Sequence, residues 1–301
     1  MSEAKSLEIV IFQMGKVAST ALAGALREQG LEAVQAHVAS PERLAAKLKI
    51  MAAPYLSEAV ANTVYQDFHQ ELRAMYLLSR RRVAPDAHAE PLMLISPTRD
   101  PLNWYWSHFA QMYHHYDDQL LRYFLDKGGS EPDFQADATL IDMLEQMFSV
   151  LDATLEPLDD PESLPRIQSA AMECDSSGIV SAQVNRFLLP LRWFNEDFFP
   201  AVGVDVYDHT FNLSDGFGQI EAPGFNIMLY RYEDLQQIQP HLASFVDRPE
   251  FSFERRNATE DKDIPLNVLE VLNEGRNLIP TTLVDRIYET RYAQHFGYSS
   301  P

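Results

Sequence analysis

The stretch from Ile9 to Leu22 constrains this chain more than any other. An apolar run, Ile9-Val10-Ile11-Phe12, gives way to Gln13-Met14-Gly15-Lys16, then to Val17-Ala18-Ser19-Thr20 and an Ala- and Leu-rich segment with helical spacing. The pattern predicts a strand, a tight turn and the N-terminus of a helix. Backbone N–H groups in a first helical turn have no partners inside the helix, and the helix dipole adds partial positive charge there. With Lys16, Ser19 and Thr20 alongside, such a turn favours an anion, and a phosphate fits it best.

The nucleotide-triphosphate loop also joins a strand to a helix, but it needs a glycine five residues before the Gly-Lys pair and a hydroxyl residue directly after it. Those positions hold Val10 and Val17, so the second loop glycine and the magnesium ligand are both missing.

The 301 residues suit a single large α/β domain over 1–301, with a mostly helical insertion at about 117–190. Cys174 is the only cysteine, which excludes a disulfide framework within the chain and any metal site built on cysteines. The first residues, Met-Ser-Glu-Ala-Lys-Ser, lack the basic start and apolar core of a signal peptide. No run approaches the roughly twenty apolar residues that span a bilayer, so the expectation is a cytoplasmic protein without a transmembrane segment. A formal charge of −20 opposes general attraction to nucleic acid, acidic membranes or sulfated polymers, while leaving a small anion able to bind in a local basic pocket.

Further along, a helix is expected over about 19–29, then a strand within Leu31–Val38, and a helix start at Ser40-Pro41-Glu42 with serine as cap and proline at the first helical position. A mostly helical stretch follows to the basic helix end Arg80-Arg81-Arg82. Pro91–Ser96 reads as a buried strand that runs into Pro97-Thr98-Arg99-Asp100-Pro101 and a helix carrying Trp104, Trp106 and Phe109. Phe225–Tyr230 repeats the strand pattern ahead of Arg231-Tyr232-Glu233-Asp234-Leu235, and the chain is helical from about Leu266. Strands alternating with helices predict a three-layer arrangement, a central parallel sheet flanked by helices, with ligands at the carboxyl ends of its strands. Trp104-Tyr105-Trp106 could stack on a sugar ring, yet three successive helix positions diverge and suit a core better.

Lys16 followed by two small residues and Ser19-Thr20 resembles the 5′-phosphosulfate loop of sulfotransferases that use 3′-phosphoadenosine-5′-phosphosulfate (PAPS). Arg99-Asp100-Pro101 with Ser107 eight residues after the arginine resembles the family's second motif, which grips the 3′-phosphate. Trp193-Phe194-Asn195-Glu196, Gly203–Tyr207, Arg231–Leu235, Arg256-Asn257 with Lys262, and Tyr292–Phe296 are similar to a bacterial sulfotransferase-like group named for capsular polysaccharide synthesis. That group usually follows its late lysine with aromatic residues, where this chain has Asp263-Ile264-Pro265.

The resemblance implies a P-loop-like sulfotransferase fold with helical insertions and transfer of a sulfuryl group to the hydroxyl of a carbohydrate or small metabolite, leaving 3′,5′-adenosine bisphosphate. It implies cofactor contacts from Gly15, Lys16, Val17, Ala18, Ser19 and Thr20, with Arg99 and Ser107 on the 3′-phosphate and Lys262 as a late cover. No metal is required. Lys16 would neutralise the leaving oxygen, and the acceptor hydroxyl needs a base, for which His37 at the end of the second predicted strand is the first candidate, ahead of His108 and the pair His114-His115. An ATP-dependent small-molecule kinase and a non-catalytic nucleotide-binding protein remain open as alternatives.

Overall fold

The computed structural model describes residues 8–51, 58–112, 117–154, 156–253 and 266–300. The chain divides into two compact units, Met1–Arg99 with Trp193–Arg256, and Asp100–Arg192 with Asn257–Pro301.

The first unit holds a five-strand sheet of β1 (Glu8–Phe12), β2 (Glu32–Ala36), β3 (Leu92–Thr98), β4 (Phe217–Ala222) and β5 (Phe225–Arg231), in the order β2-β1-β3-β5-β4. Neighbours pair in parallel except β4, which runs antiparallel to β5. The chain is thus an α/β protein with a mostly parallel sheet flanked by helices. In this unit these are α1 (Ser19–Glu28), α2 (Pro41–Met51), α3 (Glu58–Val83), α9 (Phe199–Val202) and α10 (Leu235–Phe245).

The unbroken apolar runs of the sequence arise because the central strands are covered on both sides. Ile9, Ile11, Met93, Ile95, Met228 and Tyr230 face Leu22 and Leu26 of α1 and Ile238 and Leu242 of α10. On the opposite face the Phe12 ring meets Trp193 at 4.9 Å and Phe198 at 6.0 Å, and α3 packs on β2 and β3. Each such side chain, fully buried, contributes about 1.5–3 kcal/mol. Pro97 sits within β3, where a proline would normally break a ladder. The pairing with β1 ends at Ile95, so β3 has a partner on one side only by that point.

Ser40 caps α2 as expected, its Oγ accepting from the Arg43 N–H at 3.3 Å. Arg81 pairs with Glu8 at 3.3 Å and Arg82 donates to the Pro200 carbonyl, so two of the three basic residues ending α3 bind the unit together. β4 was not anticipated. Its buried and exposed positions alternate as Phe217–Ala222 forms an edge strand, joined to β5 by a Pro223-Gly224 turn.

Every regular element described in the second unit is helical: α4 (Pro101–Met112), α5 (Asp117–Asp126), α6 (Ala136–Ala153), α7 (Leu164–Cys174), α8 (Ile179–Trp193, whose last residue belongs to the first unit), α11 (Leu266–Asn277), α12 (Thr281–Tyr288) and α13 (Arg291–Phe296). The helices between 117 and 190 group with α4 and the C-terminal helices in this unit. Asp100 caps α4, its Oδ1 taking the Asn103 N–H at 2.8 Å and its Oδ2 the Tyr288 hydroxyl at 2.8 Å. Trp104, Tyr105 and Trp106 are buried in the core, where Tyr105 meets Phe187 at 4.9 Å, so no sugar platform forms there.

Gly224 has φ +82°, and a Cβ added there would lie 2.7 Å from the Arg81 carbonyl oxygen. Left-handed backbone alone costs an L-residue about 1–2 kcal/mol, and the backbone contact adds to it. Gly224→Ala should lower the unfolding free energy from urea titration by at least that amount, whereas Gly128→Ala, in open space at φ +87°, should lose only the conformational part.

Candidate functional site

Because β1, β2, β3 and β5 run in parallel, their carboxyl ends emerge on one edge of the sheet, carrying Gln13–Ala18, His37, Arg99 and Tyr232. Such an edge is where open α/β sheets bind ligands.

The turn after β1 is unusual in its backbone. Gly15 has φ +95°, and the two non-glycine residues Lys16 and Ala18 also take left-handed values, φ +58° and +57°. Conformations of this kind persist only where surrounding contacts enforce them. Two such contacts are visible. The buried Gln13 side chain folds back so that its Oε1 accepts the Gly15 N–H, and Arg99 Nη1 donates to the Lys16 carbonyl at 2.8 Å. The Arg99 guanidinium in turn lies over the Tyr232 ring, 4.6 Å from its centre. One arginine therefore links the ends of β1, β3 and β5.

α1 starts directly after Ala18, which supplies no side-chain cap, so the first N–H groups of the helix point at the turn. Ser19 is buried and its hydroxyl accepts from Gln35 Nε2 of β2 at 2.8 Å, which leaves the hydroxyl hydrogen to donate. Thr20 is exposed. Val17 is fully buried and serves as core, so the position that carries a magnesium ligand in nucleotide-triphosphate loops has no ligand here.

His37 follows β2, with Nδ1 2.8 Å from Gln13 Nε2 and 3.2 Å from the Gln13 carbonyl oxygen. Its ring, with Thr20, Gln35, Tyr65 and His69, lines a cleft of about 650 Å³. Glu71, at the floor of that cleft, is ion-paired to Lys47 at 2.5 Å. Behind the edge, burial pushes the Tyr230 phenol far above its ordinary range and keeps it neutral.

The structure thus gathers Gly15, Lys16, Val17, Ala18, Ser19, Thr20, His37 and Arg99 in the first unit. Ser107 is half-buried on α4 of the second unit, as is His108, whose ring is 5.2 Å from Trp104. Lys262, His114 and His115 lie outside the described residues. Among the described residues no group of three His, Cys, Asp or Glu side chains is placed to hold a metal ion, and no helix is long and apolar enough to cross a membrane. Gln13, Gln35 and Tyr232 also belong to this edge and were not singled out for it from the sequence; each lies within or up to two residues beyond a predicted strand, which was the available signal.

No protein-family model, curated protein or solved structure matches the chain.

The left-handed Ala18 gives the turn a direct test. A β-branched side chain tolerates this conformation worst, so Ala18→Val should destabilise the protein by about 1–2 kcal/mol, while Ala18→Gly should raise the unfolding free energy by up to about 1 kcal/mol, relief of strain outweighing the added unfolded-state entropy.

Proposed function

We propose that the first unit binds PAPS and that the protein transfers its sulfuryl group to the hydroxyl of a carbohydrate or small metabolite, the P-loop-like sulfotransferase reading that the sequence resemblance implies. One juxtaposition supports it above all: a left-handed turn carrying Lys16 runs into the uncapped start of α1, and Arg99 at the end of the neighbouring strand is hydrogen-bonded to that same turn. Helix N–H groups, a lysine and a planar guanidinium on one sheet edge match the oxygen-rich, dianionic groups of such a cofactor. The buried Val17 in place of a hydroxyl favours a metal-independent cofactor over ATP with magnesium.

In the proposed reaction the acceptor oxygen attacks sulfur in line, the bond from sulfur to the bridging phosphate oxygen breaks, and the acceptor proton passes to a base. Lys16 neutralises charge on the departing oxygen. Ser19, Thr20 and the first N–H groups of α1 hold the 5′-phosphate. Arg99 serves the 3′-phosphate, and His37, on the wall of the adjoining cleft, takes the proton. Catalysis of this kind is positioning and electrostatic stabilisation, with little covalent work for the protein. The cofactor role assigned here rests on residues of the first unit alone.

Titration calorimetry with 3′,5′-adenosine bisphosphate, without magnesium, tests the cofactor class. Micromolar binding that weakens at least tenfold in Arg99→Ala is expected, a loss of about 1.4 kcal/mol or more. Lys16→Ala should reduce transfer from PAPS by about 10²–10³ and binding of the bisphosphate far less. Absence of binding, with magnesium-dependent ATP binding in its place, would replace this proposal with a kinase.

A further inference from the structure

The buried Gln13 touches both halves of the edge, and its geometry fixes more than the turn. Only the oxygen of its amide can accept the Gly15 N–H, because the amide nitrogen is itself a donor. The nitrogen must then be the atom that faces His37 Nδ1 at 2.8 Å. A protonated Nδ1 would set donor against donor at that distance, so Nδ1 is the unprotonated nitrogen and the ring proton resides on Nε2. In this tautomer His37 can donate from Nε2 but cannot accept a proton there.

A second partner for Nδ1 is already in place. The Gln13 backbone carbonyl lies 3.2 Å from it and can accept a hydrogen bond once Nδ1 carries the proton. The side chain of Gln13 thus supports one tautomer and its carbonyl the other. What holds the amide in the first arrangement is the Gly15 N–H, in the turn proposed to receive the anion.

We propose that Gln13 is a positioning residue that couples occupancy of the turn to the tautomer of His37. An anion that takes over the Gly15 N–H releases the Gln13 amide from Nδ1. The ring proton is then lost from Nε2 to solvent and another is gained at Nδ1, which donates it to the Gln13 carbonyl, and Nε2 becomes able to accept the proton of an incoming hydroxyl. His37 is armed only when the turn is filled, which keeps the base from binding the proton without a donor present. This inference rests on the function proposed above for the turn, while its first half, the link between Gln13 and His37, holds for any ligand.

The test is ¹⁵N NMR of the full-length protein labelled at its histidine rings, with the His37 signals assigned through their loss in His37→Gln. The free protein should show a pyridine-type Nδ1 and a pyrrole-type Nε2, and saturation with 3′,5′-adenosine bisphosphate should exchange the two. In Gln13→Glu, a carboxylate would accept from both Gly15 and Nδ1, so the exchanged tautomer should appear without ligand. Gln13→Met, of similar length and without polar atoms, should lower kcat for transfer at least tenfold with little change in KM for PAPS, and covers the case in which the buried carboxylate prevents folding. A protonated Nδ1 in the free wild type overturns the proposal outright. Calorimetric binding of the bisphosphate without exchange of the tautomer overturns the coupling. No binding of the bisphosphate, with the free-state tautomer as stated and inverted in Gln13→Glu, refutes the cofactor assignment and supports the Gln13–His37 link.

Discussion

The edge that carries the candidate site depends on the parallel pairing of β1 with β3. With Ile9 opposite Met93 and Ile11 opposite Ile95, the two strands leave the sheet side by side, and that alone brings the backbone of Lys16 within reach of Arg99, whose guanidinium then closes on the Lys16 carbonyl. β5 pairs with β3 along its whole length and delivers Tyr232 to the other face of the same guanidinium. A slip of one residue between β1 and β3 would send every core side chain of β1 to the opposite face, so the packing of Ile9 and Ile11 against α1 and α10 protects the site geometry as well as the core.

Much of this fold is written plainly in the sequence, for physical reasons. The strands β1, β3 and β5 carry apolar runs because helices cover both faces, and such runs stand out against helical periodicity. Ser40-Pro41 marks a helix start because both residues act locally, through a hydroxyl cap and a preset φ. β4 escaped notice because Gln219 and Glu221 face solvent and only every second residue is buried, so a six-residue segment lacks an apolar run. The turn chemistry of Pro223-Gly224 was the signal that could have found it. Nor does periodicity reveal how helices group. The assignment of α4 and the C-terminal helices to one compact unit with 117–190 is a matter of long-range packing, seen in pairs such as Tyr105 with Phe187 and Arg286 with the Leu151 carbonyl at 2.9 Å.

The candidate site was legible to a different degree. Lys16, Ser19, Thr20 and Arg99 could be singled out because charge and hydroxyl groups at strand ends imply a use. Gln13 and Gln35 could not, since a glutamine beside a strand is chemically neutral, and its importance lies in which two atoms it bridges. Gln13 joins Gly15 to His37 and Gln35 reaches Ser19 from the next strand. The contacts of Gln13 with His37 and of Gln35 with Ser19 join separate elements of the chain, and no local pattern encodes them. The left-handed conformations of Lys16 and Ala18 were equally hidden, because glycine is the residue that ordinarily advertises them.

The proposed site for a small anion is compatible with a chain of formal charge −20. At physiological ionic strength the screening length is about 8 Å, so distant carboxylates contribute little, and the outcome is decided by groups at the edge itself. Of the acids near it, Asp234 is bound by Arg231 and Glu71 by Lys47 at 2.5 Å. Arg99 meets the Lys16 carbonyl and the face of the Tyr232 ring, contacts that orient its guanidinium. Together with Lys16 and the start of α1, it stands on the edge proposed to receive the anion. The surrounding field works in the opposite sense to these groups, and a ligand therefore gains nothing by being large and highly charged. An anion small enough to lie within the screened region, with its oxygens placed to meet these donors, escapes the repulsion, which fits the proposed nucleotide-sized cofactor better than a polyanionic ligand.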